Sequence, residues 1–134
     1  MRKSQVAMEY VMIVGFATLI AIPLFIIFNF YTMQTRDEVV LSQANSIATK
    51  IVDSAESVYY IGEPSKTTIK IYMPEAIENA TIKDGYVIIR AKTKGTGTDI
   101  VKSSKINITG TLNTQPGIKN IAIEARGGYV WVEG

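Results

Sequence analysis

A single uncharged stretch near the start of the chain limits what this sequence can fold into. No Asp, Glu, Lys or Arg occurs from Tyr10 to Thr35, and most residues of the stretch are apolar. A helix of about 20 apolar residues, rising 1.5 Å at each, crosses the hydrocarbon layer of a membrane. The sequence therefore predicts a transmembrane helix, followed by a longer region of mixed polarity.

The charges in front of this stretch predict its orientation. Arg2 and Lys3 precede it at the N-terminal end, and basic residues tend to stay on the cytoplasmic side. The N-terminus is thus expected in the cytoplasm and the rest of the chain outside. A cleaved secretory signal has an apolar stretch of about 7–15 residues followed by a small-residue site. Here the stretch is longer and no clear site follows, so an ordinary cleaved signal is disfavoured.

The amino-acid composition excludes most common kinds of active site. The chain has no Cys and no His, and its net charge is only +2. Disulfides, thiol catalysis and Cys- or His-based metal sites are therefore excluded. No pair of carboxylates or Ser/Lys arrangement has a spacing specific to catalysis. We expect no catalytic residue, no cofactor and no metal, and nucleic-acid binding is not predicted.

Glu9 is the one carboxylate at the front of the apolar segment. A charged residue inside a membrane helix costs roughly 2.5–3.5 kcal/mol at the centre and usually marks a function. In a bundle of such helices, Glu9 would be buried and would require a cation, and such a pair would fix the register between copies. The alternative is that its side chain extends to the membrane interface.

The order of residues around Glu9 resembles a known family. A basic tip, then Gln5, then Glu9 four residues later with Tyr10 beside it, is similar to the start of archaeal type IV pilins with class III signal peptides. The resemblance implies cleavage of the Ser4–Gln5 bond by a membrane peptidase, with residues 1–4 as leader. Ser4 stands where that leader often has Gly. Glu9 would then pair with the freed α-amine of Gln5 on a neighbouring copy.

The resemblance covers about the first thirty residues and implies a structural role. The chain would be a subunit of a pilus-like surface filament, used for adhesion or surface interaction. Its expected partners are copies of itself in a helical homopolymer, the prepilin peptidase and the pilus assembly machinery. The precursor would reside in the membrane and the assembled filament on the cell surface. The alternatives are an archaellin, a minor pilin, or a membrane-anchored surface binding domain that never polymerises.

The helical pattern continues beyond the uncharged stretch. Apolar residues recur every three or four positions, as on one helix face: Val40, Ala44, Ile47, Ile51, Ala55 and Val58. We predict one helix from about Gln5 to Tyr60, apolar all round in its first half and striped in its second. Pro23 should kink or loosen it, and Gly62 and Pro64 should end it.

Beyond the helix the periodicity changes to two, which is typical of strands with one buried face. Strands are predicted in "TTIKIYM", "YVIIRAKTK" and "SKINITG", and a hairpin with its turn at Gly127-Gly128 in "IKNIAIEARGGYVWVEG". The segment "KGTGTD", Lys94 to Asp99, is interpreted as a turn. The predicted fold is α+β, with the long helix packed against a C-terminal antiparallel β-sheet or β-sandwich. Its expected divisions are 1–4, 5–60 and 66–134.

Three surface features complete the sequence-based predictions. Asn79 and Asn107 each begin an N-glycosylation sequon and should lie on the polar side of their strands. A basic stripe could bind a negatively charged surface, although a charged strand face is more often only solvated; it consists of Arg90, Lys92 and Lys94 with Lys102 and Lys105 nearby. Tyr129 and Trp131 should share an outward face, against another subunit or against the domain's own loops.

Overall fold

The computed structural model describes residues 2–134 as one helix followed by seven strands. The elements in chain order are α1 (Arg2–Ile61), β1 (Lys66–Met73), β2 (Ile77–Lys83), β3 (Tyr86–Thr93), β4 (Thr96–Ser103), β5 (Ile108–Thr111), β6 (Gly117–Arg126) and β7 (Tyr129–Glu133). The α+β class, with a long N-terminal helix packed against a C-terminal sheet, is confirmed.

The chain divides into two compact units, one that ends at Arg36 and one that comprises Asp37–Gly134. The first is formed by helix alone, and α1 continues through Pro23 without interruption. The second contains the remainder of α1 and all seven strands. Its first residues therefore come from the helix, whereas the sequence suggested a division after the helix end.

The part of α1 in the second unit buries one stripe of side chains. The buried residues recur every three or four positions, as one helix face requires: Ala44, Ile47, Ala48, Ile51, Val52, Ala55 and Val58. Three of the seven are Ala, whose small side chain lets the helix backbone approach the sheet closely. The stripe predicted from the sequence is confirmed, except that Val40 is only partly buried.

The seven strands form one sheet in the order β1-β6-β7-β5-β2-β3-β4. Five neighbouring pairs are antiparallel, and β5 and β7 are parallel. The sheet is therefore mixed and not wholly antiparallel as predicted, because β5 inserts between β2 and the β6–β7 hairpin. Its inner face supplies the core against the helix stripe, with Val87, Ile89, Ile108, Ile121, Ile123, Val130 and Val132 all buried.

Two tight turns join β2 to β3 and β3 to β4, and neither β2 nor β4 was predicted from the sequence. Asp84 and Gly85 have φ of 53° and 81°, and Lys94 and Gly95 have φ of 45° and 79°. Positive φ at both central residues is the conformation of two-residue hairpin turns. The interpretation of "KGTGTD" as a turn is thus wrong beyond Lys94-Gly95. Thr96 to Asp99 begin β4, which pairs with β3 along its length.

Strands β2 and β5 also depart from the regular alternation. β2 has an irregular register between Ile77 and Asn79, and such a bulge interrupts the alternation that marks a strand. The segment "SKINITG" contributes only Ile108 and the residues after it to β5. Ile106 is nevertheless buried. The alternating pattern therefore predicted the burial of Ile106 correctly, although this residue is not part of a strand.

The parallel pair of β5 and β7 depends on Gly110. Gly110 lies opposite Val132, and a Cβ atom built on Gly110 would lie 1.9 Å from the backbone oxygen of Val132. No side chain fits there, because real Cβ atoms do not approach backbone atoms below about van der Waals distance. Glycine therefore permits β5 to lie beside β7.

Candidate functional site in the N-terminal helix

The N-terminal segment, defined as residues 2–36, exposes nearly all of its apolar side chains. The exposed side chains include Val6, Phe16, Leu19, Phe25, Phe28 and Phe30, and Phe30 is 72% exposed. Monomeric soluble proteins rarely leave an apolar surface of this extent in water. By length and composition, this part of α1 could cross a membrane.

Four polar side chains within the segment form hydrogen bonds back to the helix backbone. Thr18 Oγ1 donates to the carbonyl oxygen of Val14 at 2.8 Å, and Asn29 Nδ2 donates to that of Phe25 at 2.8 Å. Thr32 and Thr35 make the same bond with the residue four positions earlier, at 2.9 and 3.0 Å. A polar group that is satisfied within its own helix can enter an apolar environment at reduced cost. The segment therefore suits lipid or a helix bundle despite these four residues.

The segment begins with the residues singled out from the sequence. Arg2 is the first residue assigned to α1, so Ser4 and Gln5 lie in its first turns and not before it. The N–H groups of a first turn have no partner within the helix, and such turns fray readily. The Ser4–Gln5 bond lies close to this end of α1.

Glu9 lies one helical turn after Gln5. Side chains four positions apart share a helix face, and Gln5, Met8, Glu9 and Met12 border one open groove along the helix surface. The three salt bridges within residues 2–134 lie between Lys83 and Asp84, Arg90 and Asp99, and Arg126 and Glu124. Glu9 takes part in none of them, and its side chain lies on an exposed part of the helix.

The two sequon asparagines occupy different positions on the sheet unit, which is the compact unit Asp37–Gly134. Asn79 is exposed on β2, opposite Arg90. Asn107 is also exposed, but it precedes β5, and its backbone carbonyl accepts a bond from Val130 N–H at 2.9 Å. Both side chains are accessible, and only Asn79 lies within a strand.

The predicted basic stripe is partly neutralised. Arg90 donates two hydrogen bonds to the carboxylate of Asp99, at 2.7 and 2.8 Å. This bidentate pairing lowers the pKa of Asp99 and raises that of Arg90. Lys94 lies in the β3–β4 turn, so that Arg90 and Lys92 are the members of the stripe on β3 itself.

Tyr129 and Trp131 share the face of β7 that points away from the helix, as predicted. Both are half-buried. The guanidinium of Arg126 lies 5.5 Å from the centre of the Trp131 ring and is bonded to Glu124 at 3.0 Å. A cation over an indole face is attractive, and it covers part of the surface that the sequence left open to another subunit or to the domain's own loops.

Three contacts in the sheet unit were not predicted from the sequence. Glu56 accepts bonds from the Lys105 N–H at 2.9 Å and the Ser104 hydroxyl at 3.2 Å. Lys50 Nζ donates to the carbonyl oxygen of Lys70 at 2.9 Å. Beyond the end of α1, the carboxylate of Glu63 accepts from the N–H of Gly127. Each joins residues at least 20 positions apart in the chain, and no local motif in the sequence signals such a contact.

No protein-family model matches the chain, and no match was found among curated proteins or solved structures. Within residues 2–134, the N-terminal segment has the most specific arrangement of side chains.

Proposed function

We propose that the chain is the structural subunit of a type IV pilus-like surface filament, assembled through its N-terminal segment. The observation that carries the proposal is the N-terminal segment, whose apolar side chains are exposed. Within its residues 4–35 Glu9 is the sole charged residue, and it lies one turn after Gln5. An isolated membrane anchor has no need for a carboxylate at that place, whereas a helix that packs against copies of itself can use one.

Processing would prepare the pairing. Hydrolysis of the Ser4–Gln5 bond leaves a carboxylate on Ser4 and a free amine on Gln5. That amine is a new cation about 6 Å along the helix from Glu9, at 1.5 Å per residue. Within one copy the two groups lie a full turn apart along the axis. Between copies, a shift of one helix by about that distance brings the amine of one to the carboxylate of the other.

The energetics assign separate roles to apolar surface and charge. Transfer of the segment from lipid to a protein bundle brings little hydrophobic gain, because both surroundings are apolar. Packing and the pairing of Glu9 must therefore select the bundle. Removal of one partner from a buried pair costs about 3–5 kcal/mol, so a copy in the wrong register is strongly disfavoured. In water outside the cell, the apolar surface then opposes loss of a subunit.

A membrane-anchored surface domain that does not polymerise is the second candidate. The same exposed helix suits it, because length and apolar character are all that an anchor requires. The two candidates differ in the start of the mature chain and in the need for Glu9. An archaellin or a minor pilin would share the processing and would differ in the filament that contains it.

The test is the intact mass and N-terminal sequence of the protein from its native cells, together with electron microscopy of their surface. A chain that starts at Gln5, within filaments, supports the proposal, and the mass also reports loss of ammonia from Gln5 by cyclisation. A chain that starts at Met1 on cells without filaments of this protein overturns it in favour of the anchor.

A matched pair of variants tests the role of Glu9. Glu9→Gln keeps the size of the side chain and removes the charge, so it should abolish filaments while processing continues. Glu38→Gln removes a carboxylate beyond the uncharged stretch and should leave filaments intact. Normal filaments from Glu9→Gln would refute the register role.

A further inference from the structure

The two end strands of the sheet are matched in length and direction. β1 and β4 are the first and last strands in the sheet order, and each has eight residues. Following the pairings across the sheet, β4 runs antiparallel to β1. A second copy displaced sideways without rotation would thus bring its β1 beside β4 in antiparallel orientation. An open edge is a template for such pairing.

The hydrogen-bonding groups of β1 that face outward can be identified from its pairing with β6. The Ala125 N–H donates to Ser65 O, and bonded pairs alternate along an antiparallel ladder. The backbone groups that point away from β6 are therefore those of Lys66, Thr68, Lys70 and Tyr72. The bond from Lys50 Nζ to Lys70 O agrees, because a side chain reaches this carbonyl from the open side.

The same reasoning applies to β4. The Ser104 N–H donates to Gly85 O at 2.8 Å, so the backbone groups that point away from β3 are those of Gly97, Asp99, Val101 and Ser103. On both edges, the residues with outward backbone groups also carry their side chains on the sheet face opposite the helix. Two strands can pair directly only when the paired residues with free backbone groups carry their side chains on the same face of the sheet, as they do here.

We propose that β4 of one copy pairs with β1 of a second copy, with Ser103 to Thr96 opposite Lys66 to Met73. The inference goes beyond the proposed function, because it involves only the Asp37–Gly134 unit. In this register all eight residues of each strand pair, and Lys70 of the second copy lies opposite Asp99. Opposite charges across an antiparallel pair are favourable.

The inner face of the junction gives a further reason for this register. Ile69 on β1 and Ile100 on β4 are only partly buried, because each lies on an end strand with no neighbour on one side. The register places Ile69 of the second copy directly opposite Ile100. Each would then cover the other's exposed side, and the core of one copy would continue into the next.

The contact is heterologous, because one edge of a copy meets the other edge of its neighbour. Each copy that adds leaves a free β4 or β1 at the end, so association continues and does not stop at a dimer. Lys50 limits this association, because its ammonium donates a hydrogen bond to the Lys70 carbonyl oxygen, which the incoming strand requires as an acceptor. Lys50 is exposed, so this contact can be displaced.

Cysteine cross-linking of the full-length chain in its native membranes tests the register. The chain has no Cys, so Thr68→Cys with Val101→Cys introduces the only pair. Both sites are exposed, and residues in a bonded antiparallel pair have Cα atoms about 5.5 Å apart, within disulfide range. Oxidation should give a reductant-sensitive ladder of dimers, trimers and larger species. A double variant that yields no ladder overturns the proposal.

Two controls establish that the contact is specific and head to tail. Thr68→Cys with Thr81→Cys places the second thiol on the central strand β2, where it should give no ladder. A mixture of chains carrying Thr68→Cys alone and Val101→Cys alone should stop at dimers that contain one of each. Dimers of Thr68→Cys with itself in equal yield would mean that β1 meets β1, which contradicts the heterologous contact.

Lys50→Met provides a second measurement that leaves the introduced pair unchanged. It removes the competing donor at Lys70 O, so the cross-linked fraction of the double variant should rise. A fraction that stays the same or falls contradicts pairing through that carbonyl. If the chain starts at Gln5 and forms filaments but gives no cross-linked ladder, only the strand pairing is rejected. If the ladder forms but the chain is not cleaved, only the pilus-like function is rejected.

Discussion

The carboxylate of Glu56 on α1 accepts a hydrogen bond from the backbone N–H of Lys105, at a distance of 2.9 Å. Ser104 donates a second bond to the same oxygen, at 3.2 Å, and its own hydroxyl accepts from the Ile106 N–H at 3.3 Å. One side chain of the helix thereby fixes the loop between β4 and β5. Ile106, Asn107 and the start of β5 are thus positioned by a residue some fifty positions earlier.

The first prediction concerns the pH dependence of this link. The bond from Lys105 N–H, with the Ser104 hydroxyl, lowers the pKa of Glu56 below its ordinary value of 4.5. Since the folded state favours the charged form, the stabilisation is present above pH 4.5 and is lost as pH falls through the folded-state pKa. Glu56→Gln should therefore lower Tm at neutral pH, and the difference from the natural chain should shrink as the solution is acidified.

The measurement is the thermal unfolding of the purified chain in detergent, followed by circular dichroism from neutral pH to below pH 4.5. Glu75→Gln is the matched control, because Glu75 is exposed and forms none of the salt bridges. A Tm difference for Glu56→Gln that is constant with pH would show that the carboxylate charge contributes nothing.

The second prediction concerns the stripe of α1 that packs on the sheet. Ile51 is fully buried and Ile61 is 73% exposed, although both lie on the same helix. Ile51→Ala should lower the free energy of unfolding of the Asp37–Gly134 unit by about 2–5 kcal/mol, because it removes buried atoms and leaves a cavity. Ile61→Ala should change it by less than about 0.5 kcal/mol. Urea unfolding in detergent compares the two, and equal effects would contradict this packing.

The third prediction concerns the contact between β5 and β7. Gly110→Ala places a methyl group where the Val132 carbonyl lies, so β5 must move away from β7. Overpacking typically costs about 1–3 kcal/mol, and a clash with backbone should reach or exceed the upper value. Gly127→Ala is the control, because its Cβ would lie at an ordinary van der Waals distance of 3.9 Å from its nearest neighbour, Glu63 Oε1. Comparable Tm values for the two variants would disprove the close approach.

The fourth prediction concerns membrane insertion of the N-terminal segment. Ile20 lies within the uncharged stretch and is 59% exposed. Ile20→Lys should weaken insertion by about 2.5–3.5 kcal/mol, the cost of a lysine near the membrane centre. Extraction of membranes at alkaline pH should release a larger fraction of this variant than of Ile20→Leu. Full retention of Ile20→Lys would show that the segment does not cross lipid at this position.

Much of the fold could be predicted because period and composition are local signals. The helix face from Ala44 to Val58 and the hairpin at Gly127-Gly128 follow from spacing and from turn residues alone. β2 and β4 were missed for separate reasons. A bulge at Ile77 hides the alternation in β2, and β4 lies at the edge, where Thr98 and Lys102 can occupy inward positions that a central strand would fill with apolar residues.

The site was predictable to the extent that it resides in one segment. Gln5 and Glu9 are one turn apart in any helix, so their common face follows from the sequence. The contacts of Glu56 and Lys50 depend on which strand lies beside the helix, and the sequence contains no signal for the insertion of β5 between β2 and β7. Long-range pairing of this kind is a property of topology.

The shortness of β5 has a consequence for how the sheet unit forms. The β2–β3–β4 meander closes through two tight turns, and the β6–β7 hairpin closes through another, so both can form early from neighbouring residues. They are joined by a strand of four residues that pairs with β2 at only two positions, Thr81 and Ile82. We expect docking of this strand to be the late, slow event of folding. Before β5 docks, the chain consists of two separate sheets, and the edges at β2 and β7 that β5 will join are both open.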